Sequence, residues 1–98
     1  MPTEKIDNKI PKEKLDKYFQ LTSRALAMVK QKIVTGKEKD AQEIIEMVQN
    51  YLSDADHFDS KGDWVNAFAA LNYSHGWLDA GVRLGIFDVK DDKFFTVK

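Results

Sequence analysis

The stretch KGDWVNAFAALNYSHGWLDAGVRLG, residues 61–85, decides the fold of this 98-residue chain, because it holds a complete helix with its start and stop signals. Gly62 can adopt the left-handed conformation that ends a preceding helix, and Asp63 can cap the free amides of the next one. Gly85 closes the stretch in the same way. The pattern therefore predicts a helix over about residues 63–84, entered through a tight turn.

Apolar or small residues cover most of the circumference of this third helix. An advance of about 100° per residue divides them into two flanks. One flank carries Trp64, Ala67, Leu71, Leu78 and Val82, and the other carries Ala69, Tyr73, Trp77, Ala80 and Leu84. So wide an apolar arc exceeds what one surface helix needs. We therefore expect a cover for it besides the two other helices of the chain.

Two covers are available for the flank that carries Tyr73 and Trp77. The aromatic C-terminal tail, residues 86–98, could fold back onto it and complete a monomer. Alternatively, a second copy of the chain could pack there as a homodimer, because contiguous exposed apolar patches usually mark interaction surfaces. The sequence leaves both arrangements open.

Two further helices precede this one. Pro11 suits the first helical position and Gly36 the end of the first helix, which is predicted over about 11–35. The first helix face consists of Leu15, Phe19, Thr22, Leu26, Val29 and Ile33. The second helix, about 38–60, is marked by Ala41, Ile44, Ile45, Val48, Leu52, Ala55 and Phe58. With a flexible segment at 1–10 and a tail that folds back, this is an all-α, antiparallel up-down-up three-helix bundle.

Composition excludes several classes of protein. The chain has no cysteine, so disulfides and thiolate metal sites are absent. No apolar run approaches the roughly 20 residues that span a bilayer, and the N-terminus lacks the apolar stretch of a signal peptide. We expect a soluble cytoplasmic protein with no membrane partner.

The net charge of −1 conceals an asymmetry, because residues 1–40 carry a balance of +4 and residues 41–98 a balance of −5. A basic first helix beside acidic later ones satisfies these charges internally. The basic cluster at the end of the first helix consists of Lys30, Lys32, Lys37 and Lys39. Glu38 and Asp40 dilute it, and a nucleic-acid interface needs a stronger footprint. RNA binding therefore stays a weak alternative.

One polar stripe runs along the third helix, and its members are the candidate ligand- or partner-binding residues. They are Asn72, His75, Asp79 and Arg83, spaced by three, four and four. A carboxylate four residues after His75 could accept a hydrogen bond from the imidazole and fix its tautomer. Arg83 could pair with Asp79 in turn. The stripe is either a polar ladder worth a few tenths of a kcal/mol per pair or half of an acid/base site.

A metal site is not predicted, although DADHFD, residues 54–59, offers carboxylates and a histidine. In an antiparallel hairpin, His57 lies level with about Val65, which is about 15 Å along the axis from His75. Ligands of one metal must lie about 2 Å from it. The residues expected level with His75 are Met47 and Ser23 or Arg24. No nucleophile beside a base and no phosphate-binding loop occurs, so a non-enzymatic protein is favoured over an enzyme, and no cofactor is predicted.

Two glycines interrupt the third helix, each at a cost of about 1 kcal/mol relative to alanine. Gly76 shares a side with Ala69 and Ala80, and we expect close helix packing there, the alternative being close approach of a ligand. Gly81 faces the opposite flank, where we expect it to meet the first or second helix.

Residues 51–85 resemble the signature of a family catalogued as domain of unknown function 357. The resemblance is carried by YLSDADHF, KGDWVNAFAALNY and HGWLDAGVRLG, while the first helix matches only in general character. The characteristic positions fall on Asp54, Asp56, Gly62, Asp63, Asn66, Ala67, Tyr73, His75, Gly76, Asp79, Gly81 and Gly85. The resemblance implies a small helical bundle, an archaeal source and a cytoplasmic location. It implies no activity.

Three functional hypotheses follow. The first is a non-enzymatic binding or assembly module that presents its third helix to a partner or ligand. The second is a small hydrolase or transferase with His75 as base and Asp79 as the group that orients it, which requires a pocket around both. The third is the weak RNA-binding module.

Overall fold

The computed structural model describes residues 11–90 and Phe95. The segment 1–10, which the sequence predicts to be flexible, lies outside the described residues. The three helices are α1 (Lys12–Lys30), α2 (Glu38–Ser60) and α3 (Trp64–Arg83). None of these three combines the length and apolar character that crossing a membrane requires.

The signals around α3 act as the sequence predicts. Asp63 is the N-cap, and its Oδ1 accepts a hydrogen bond of 3.2 Å from the backbone amide of Asn66. Gly62 has a φ of 75° and Gly85 a φ of 78°, a backbone conformation that side chains with a Cβ rarely adopt. These residues fix both ends of the helix.

The predicted end of the first helix near residue 35 is wrong, because α1 ends at Lys30. The backbone beyond it bonds to the chain that follows α3: the Val34 amide donates to the Ile86 carbonyl at 3.0 Å, and the Asp88 amide donates to the Lys32 carbonyl at 2.7 Å. Residues 33 and 87 thus form an isolated antiparallel bridge. Pro11 lies just before α1, with an extended ψ of 139°.

The helices form an all-α three-helix bundle in which α3 packs against both α1 and α2. Lys12 at the start of α1 forms an ion pair of 2.9 Å with Asp59 at the end of α2. Because the start of one helix meets the end of the next, α1 and α2 run antiparallel. Ile44, near the start of α2, lies beside Gly81, near the end of α3, so the second pair is antiparallel too.

The core divides into two hydrophobic clusters. The larger includes Ala25, Val29, Ile45, Val48, Leu78 and Phe87, and the smaller includes Leu15, Ala55, Ala67 and Leu71. Among the described residues, two polar ones are buried, Thr22 of α1 and Ser74 of α3, at intermediate positions along their helices. The Ser74 hydroxyl donates to the Val48 carbonyl at 3.4 Å. The Thr22 hydroxyl lies within hydrogen-bond distance of His75.

The tail folds back, as predicted, and its described residues reach the core. Phe87 is 2% exposed and lies against Gly81, where an added Cβ would approach its Cε2 to 2.5 Å. Phe95 is also buried, and its ring stacks on His75. Tyr73 remains 58% exposed, so the described tail residues do not cover this part of the flank that was proposed for them.

Candidate functional site

A pocket of about 330 Å³ lies between α1 and α3, beside the buried polar residues. Its lining consists of Tyr18, Leu21, Thr22, Leu71, Asn72, His75, Gly76 and Asp79. Three of the four members of the predicted polar stripe therefore face one cavity. Arg83, the fourth, is exposed one turn beyond Asp79 and is not part of the lining.

Helix periodicity brings these side chains together from two directions. On α3, the residues after Asn72 at spacings of three and four return to the same side, as the sequence predicts. On α1, Tyr18, Leu21 and Thr22 follow the same rule. Gly76 contributes open space, because a Cβ there would meet nothing within 4 Å among the described residues. No helix of the same chain therefore packs closely against Gly76 among the described residues, and the prediction of close helix packing there is not confirmed within one chain.

His75 is the best connected polar group of the pocket. Its Nδ1 lies 3.2 Å from Thr22 Oγ1, within hydrogen-bond distance. Its Nε2 lies 4.0 Å from Asp79 Oδ1, which is a neighbouring charge but too long for a hydrogen bond. The Phe95 ring stacks on the imidazole at 6.1 Å between centroids and 25° between planes. The His75 side chain is only 19% exposed and contacts Thr22 of α1 and Phe95 of the tail.

Thr22 is the polar residue of the pocket lining that the sequence assigns to a helix face and not to a site. It lies on the apolar face of α1 and is 2% exposed, so its position in the pattern is that of a core residue. Ser23 or Arg24 was expected level with His75, one or two positions away from the residue that contacts it. The available signal was a hydroxyl inside an otherwise apolar helix face, since buried polar groups almost always have a partner.

A second, more open groove of about 340 Å³ follows the other side of α3. It is lined by Asn72, Tyr73, Gly76, Trp77 and Ala80, and so shares Asn72 and Gly76 with the first pocket. The Tyr73 ring packs edge-on against Tyr51 of α2 at 4.7 Å between centroids. Burial, and then the proximity of Tyr73, raise the pKa of the Tyr51 hydroxyl.

A third hollow lies between α1 and α2, near the start of α1 and the end of α2, and is lined partly by Asp16, Asp56 and Asp59. The Lys12 ammonium donates to Asp16 Oδ1 at 2.9 Å and to both carboxylate oxygens of Asp59. These hydrogen bonds raise the pKa of Lys12. Among the described residues, no group of three or more histidine, cysteine, aspartate or glutamate side chains has the geometry of a metal site.

The basic cluster of Lys30, Lys32, Lys37 and Lys39 is exposed around the turn between α1 and α2. The Gly36 amide within this turn donates to Glu38 Oε1 at 3.0 Å, so a carboxylate lies among the lysines. The weak RNA-binding hypothesis stays a prediction.

Fold and pocket together define a small helical bundle with a cavity between its first and third helices. Residues 17–87 match the model of a family described as protein of unknown function (DUF357), and the chain belongs to this family. The matched region includes every residue that lines the α1/α3 pocket. Neither a curated protein nor a solved structure matches the chain significantly.

Proposed function

We propose that this chain is a small non-enzymatic binding module and that its ligand site is the pocket between α1 and α3. One observation carries the proposal: polar side chains from two helices converge on a cavity whose remaining walls are apolar. These polar groups are Thr22, Asn72, His75 and Asp79. A concave, largely apolar site with a few placed polar groups is typical of small-molecule binding, and about 330 Å³ is within the usual range.

The charges around the pocket favour a particular class of ligand. Among the described residues that line it, Asp79 is a carboxylate, and there is no lysine or arginine. An anion would be repelled by Asp79, and no lysine or arginine among the described lining residues would compensate this repulsion. An ammonium group near Asp79, with an apolar body against Leu21, Leu71 and the Tyr18 ring, satisfies both parts of the lining. The ligand class is therefore a small amphipathic amine.

Two probes of the same size and opposite charge test this proposal. Benzylamine and benzoate are titrated separately into the ¹⁵N-labelled chain, and amide shifts are followed by NMR. We expect saturable shifts for benzylamine, centred on Thr22, Asn72 and Gly76, and much smaller ones for benzoate. Shifts of equal size for both probes, or shifts spread over the surface, would contradict the proposed site.

Matched variants distinguish the residues of the polar stripe that line the pocket from Arg83, which does not. The pair His75→Ala with Asp79→Ala removes polar groups from the lining. Arg83→Ala alters a charged residue of the same helix outside it. Benzylamine binding should be lost in the first variant and retained in the second, with the helical circular dichroism of both unchanged.

A second candidate function, a small hydrolase or transferase, is favoured by the order of three groups. Thr22 Oγ1, His75 and Asp79 form a row in which a hydroxyl lies 3.2 Å from a base that has a carboxylate neighbour. The Thr22 oxygen would add to an ester carbonyl while His75 Nδ1 takes its proton. The bond to the leaving oxygen then breaks, the leaving group departs with that proton, and water hydrolyses the acyl-threonine to release the carboxylic acid and restore Thr22. Hydrolysis of p-nitrophenyl acetate that is lost in both Thr22→Val and His75→Gln would support this activity. Thr22 is 2% exposed, which favours the binding function.

The proposal also includes assembly: a second copy of the chain binds the flank of α3 that carries Tyr73 and Trp77, which gives a homodimer. The family resemblance supports an archaeal source and a cytoplasmic location as further parts of the proposal.

A further inference from the structure

Large hydrophobic side chains remain exposed on one line of the surface. Among the described residues they are Val65, Tyr73 and Leu84, exposed by 47%, 58% and 72%, and all three lie on α3 or its C-cap. Small exposed residues, Ala69, Gly76 and Ala80, lie between them. We call these six residues the α3 stripe. A continuous apolar stripe along a whole helix is typical of a partner-binding face.

The spacing of the stripe identifies its partner. Its residues follow at intervals of four, four, three, four and four, which are the same in both directions along the helix. Two antiparallel copies of α3 would therefore place Tyr73 opposite Gly76 of the partner subunit. Val65 would face Leu84 of the partner subunit. Such a self-complementary pattern is what a two-fold symmetric interface requires.

Shape agrees with this register. Tyr73 is the largest side chain of the stripe and is 58% exposed although its ring contacts Tyr51, while Gly76 has no side chain, so a large exposed ring would lie opposite a notch. The open groove of about 340 Å³ beside Gly76 has room for an aromatic ring, and a Cβ there would meet nothing within 4 Å among the described residues.

Charge agrees as well. In this register Arg83 lies opposite Asn66 of the partner subunit, whose amide donates to Asp63 within its own chain at 2.7 Å. The arginine therefore comes within a helical turn of a carboxylate, and the positive end of one helix dipole meets the negative end of the other. A parallel pair would place Arg83 against its own copy.

We infer that a second copy of this chain docks antiparallel on the α3 stripe, with Tyr73 of each subunit in the Gly76 notch of the other. The inference rests on the homodimer of the proposed function and not on the ligand pocket. A single helix face about 30 Å long buries less surface than the roughly 800 Å² per partner that stable complexes bury. The dimer is therefore reversible and dissociates on dilution.

Sedimentation equilibrium of the full chain, from about 10 µM to about 1 mM, tests the arrangement in the range where small interfaces associate. The unmodified chain should shift from monomer to dimer. Gly76→Phe should stay monomeric because it fills the notch, while its thermal unfolding remains cooperative. Gln49→Phe, at an exposed position of α2, should dimerise like the unmodified chain. Combining Tyr73→Ala with Gly76→Phe should restore the dimer by reversing the large and small partners.

Cysteine cross-linking tests the register, and the chain has no native cysteine to interfere. A mixture of Ala69→Cys and Ala80→Cys chains should form the mixed disulfide, while Ala69→Cys alone should not link to itself. In the antiparallel pair, equivalent positions lie about 16 Å apart along the axis, beyond the roughly 7 Å that a disulfide spans. A monomer at every concentration, a dimer unaffected by Gly76→Phe, or self-linking of Ala69→Cys chains would overturn the inference. The amide shift of Thr22 during the benzylamine titration measures ligand binding in the pocket, independently of dimer formation.

Discussion

Gly76 and Gly81 belong to the same helix but have opposite surroundings. Gly76 borders open space, whereas an added Cβ at Gly81 would lie 2.5 Å from Phe87 Cε2 and 3.2 Å from Ile44 Cδ1. Gly76→Ala should therefore raise the free energy of unfolding by up to about 1 kcal/mol, the difference in helix propensity. Gly81→Ala should lower it by about 1 to 3 kcal/mol, because a full core must shift.

Urea denaturation of both variants beside the unmodified chain measures this contrast. The two positions are matched, since each lies inside α3. An increase in the free energy of unfolding of both variants would mean that helix propensity dominates and that Phe87 moves aside without cost. A decrease in both would mean that Gly76 is not open.

At the scale of single residues, the sequence predicts the polar stripe of the third helix better than the residues that surround this stripe. The three-and-four spacing of Asn72, His75 and Asp79 places them on one side of α3 whatever the helix packs against. The rotation of α1 decides which residue faces His75, and no local pattern fixes that rotation. Thr22 is therefore missed. The sequence does not decide the surroundings of Gly76, because small residues mark a packed face and an open groove alike.

Among the elements, the start of α1 and the end of α2 are joined by Lys12. Its hydrogen bonds with Asp16 and Asp59 raise its pKa above the ordinary 10.5. A raised pKa means that the folded chain favours the charged amine. The contribution of Lys12 to stability is therefore fully present below pH 10.5 and is lost as the pH rises through the folded-state pKa.

Lys12→Gln should accordingly lower the urea midpoint near neutral pH, and the difference from the unmodified chain should shrink above pH 10.5. Lys17→Gln, an exposed lysine of the same helix, is the control and should have a much smaller effect. A Lys12→Gln deficit that persists unchanged at alkaline pH would show that the charge is not its cause.

The elements themselves follow from the sequence to different degrees. α2 runs over Glu38–Ser60, the range that its apolar spacing predicts, because the turn signals at both ends are local. α1 is shorter than its pattern because residues 32–34 bond with residues that lie more than fifty positions later. Pairing over such a distance leaves no mark on the periodicity of α1.

In the whole molecule, α3 has neighbours on several sides. α1 forms the pocket with it, α2 and the tail residue Phe87 pack on it, and the α3 stripe remains exposed. The width of the apolar arc predicts that two helices are insufficient cover. It does not reveal that the described tail residues go to Gly81 and His75 and leave Tyr73 uncovered.

The affinity of benzylamine for Asp79→Asn, compared with Arg83→Gln and the unmodified chain, tests most directly the claim that the α1/α3 pocket is a ligand site. Loss of one charge-assisted hydrogen bond is worth about 1.5 to 3 kcal/mol, so the Kd should rise roughly 10- to 150-fold in Asp79→Asn. Arg83→Gln should bind like the unmodified chain, because Arg83 lies outside the lining. Equal affinity of all three chains, or no saturable binding to any, would contradict the account.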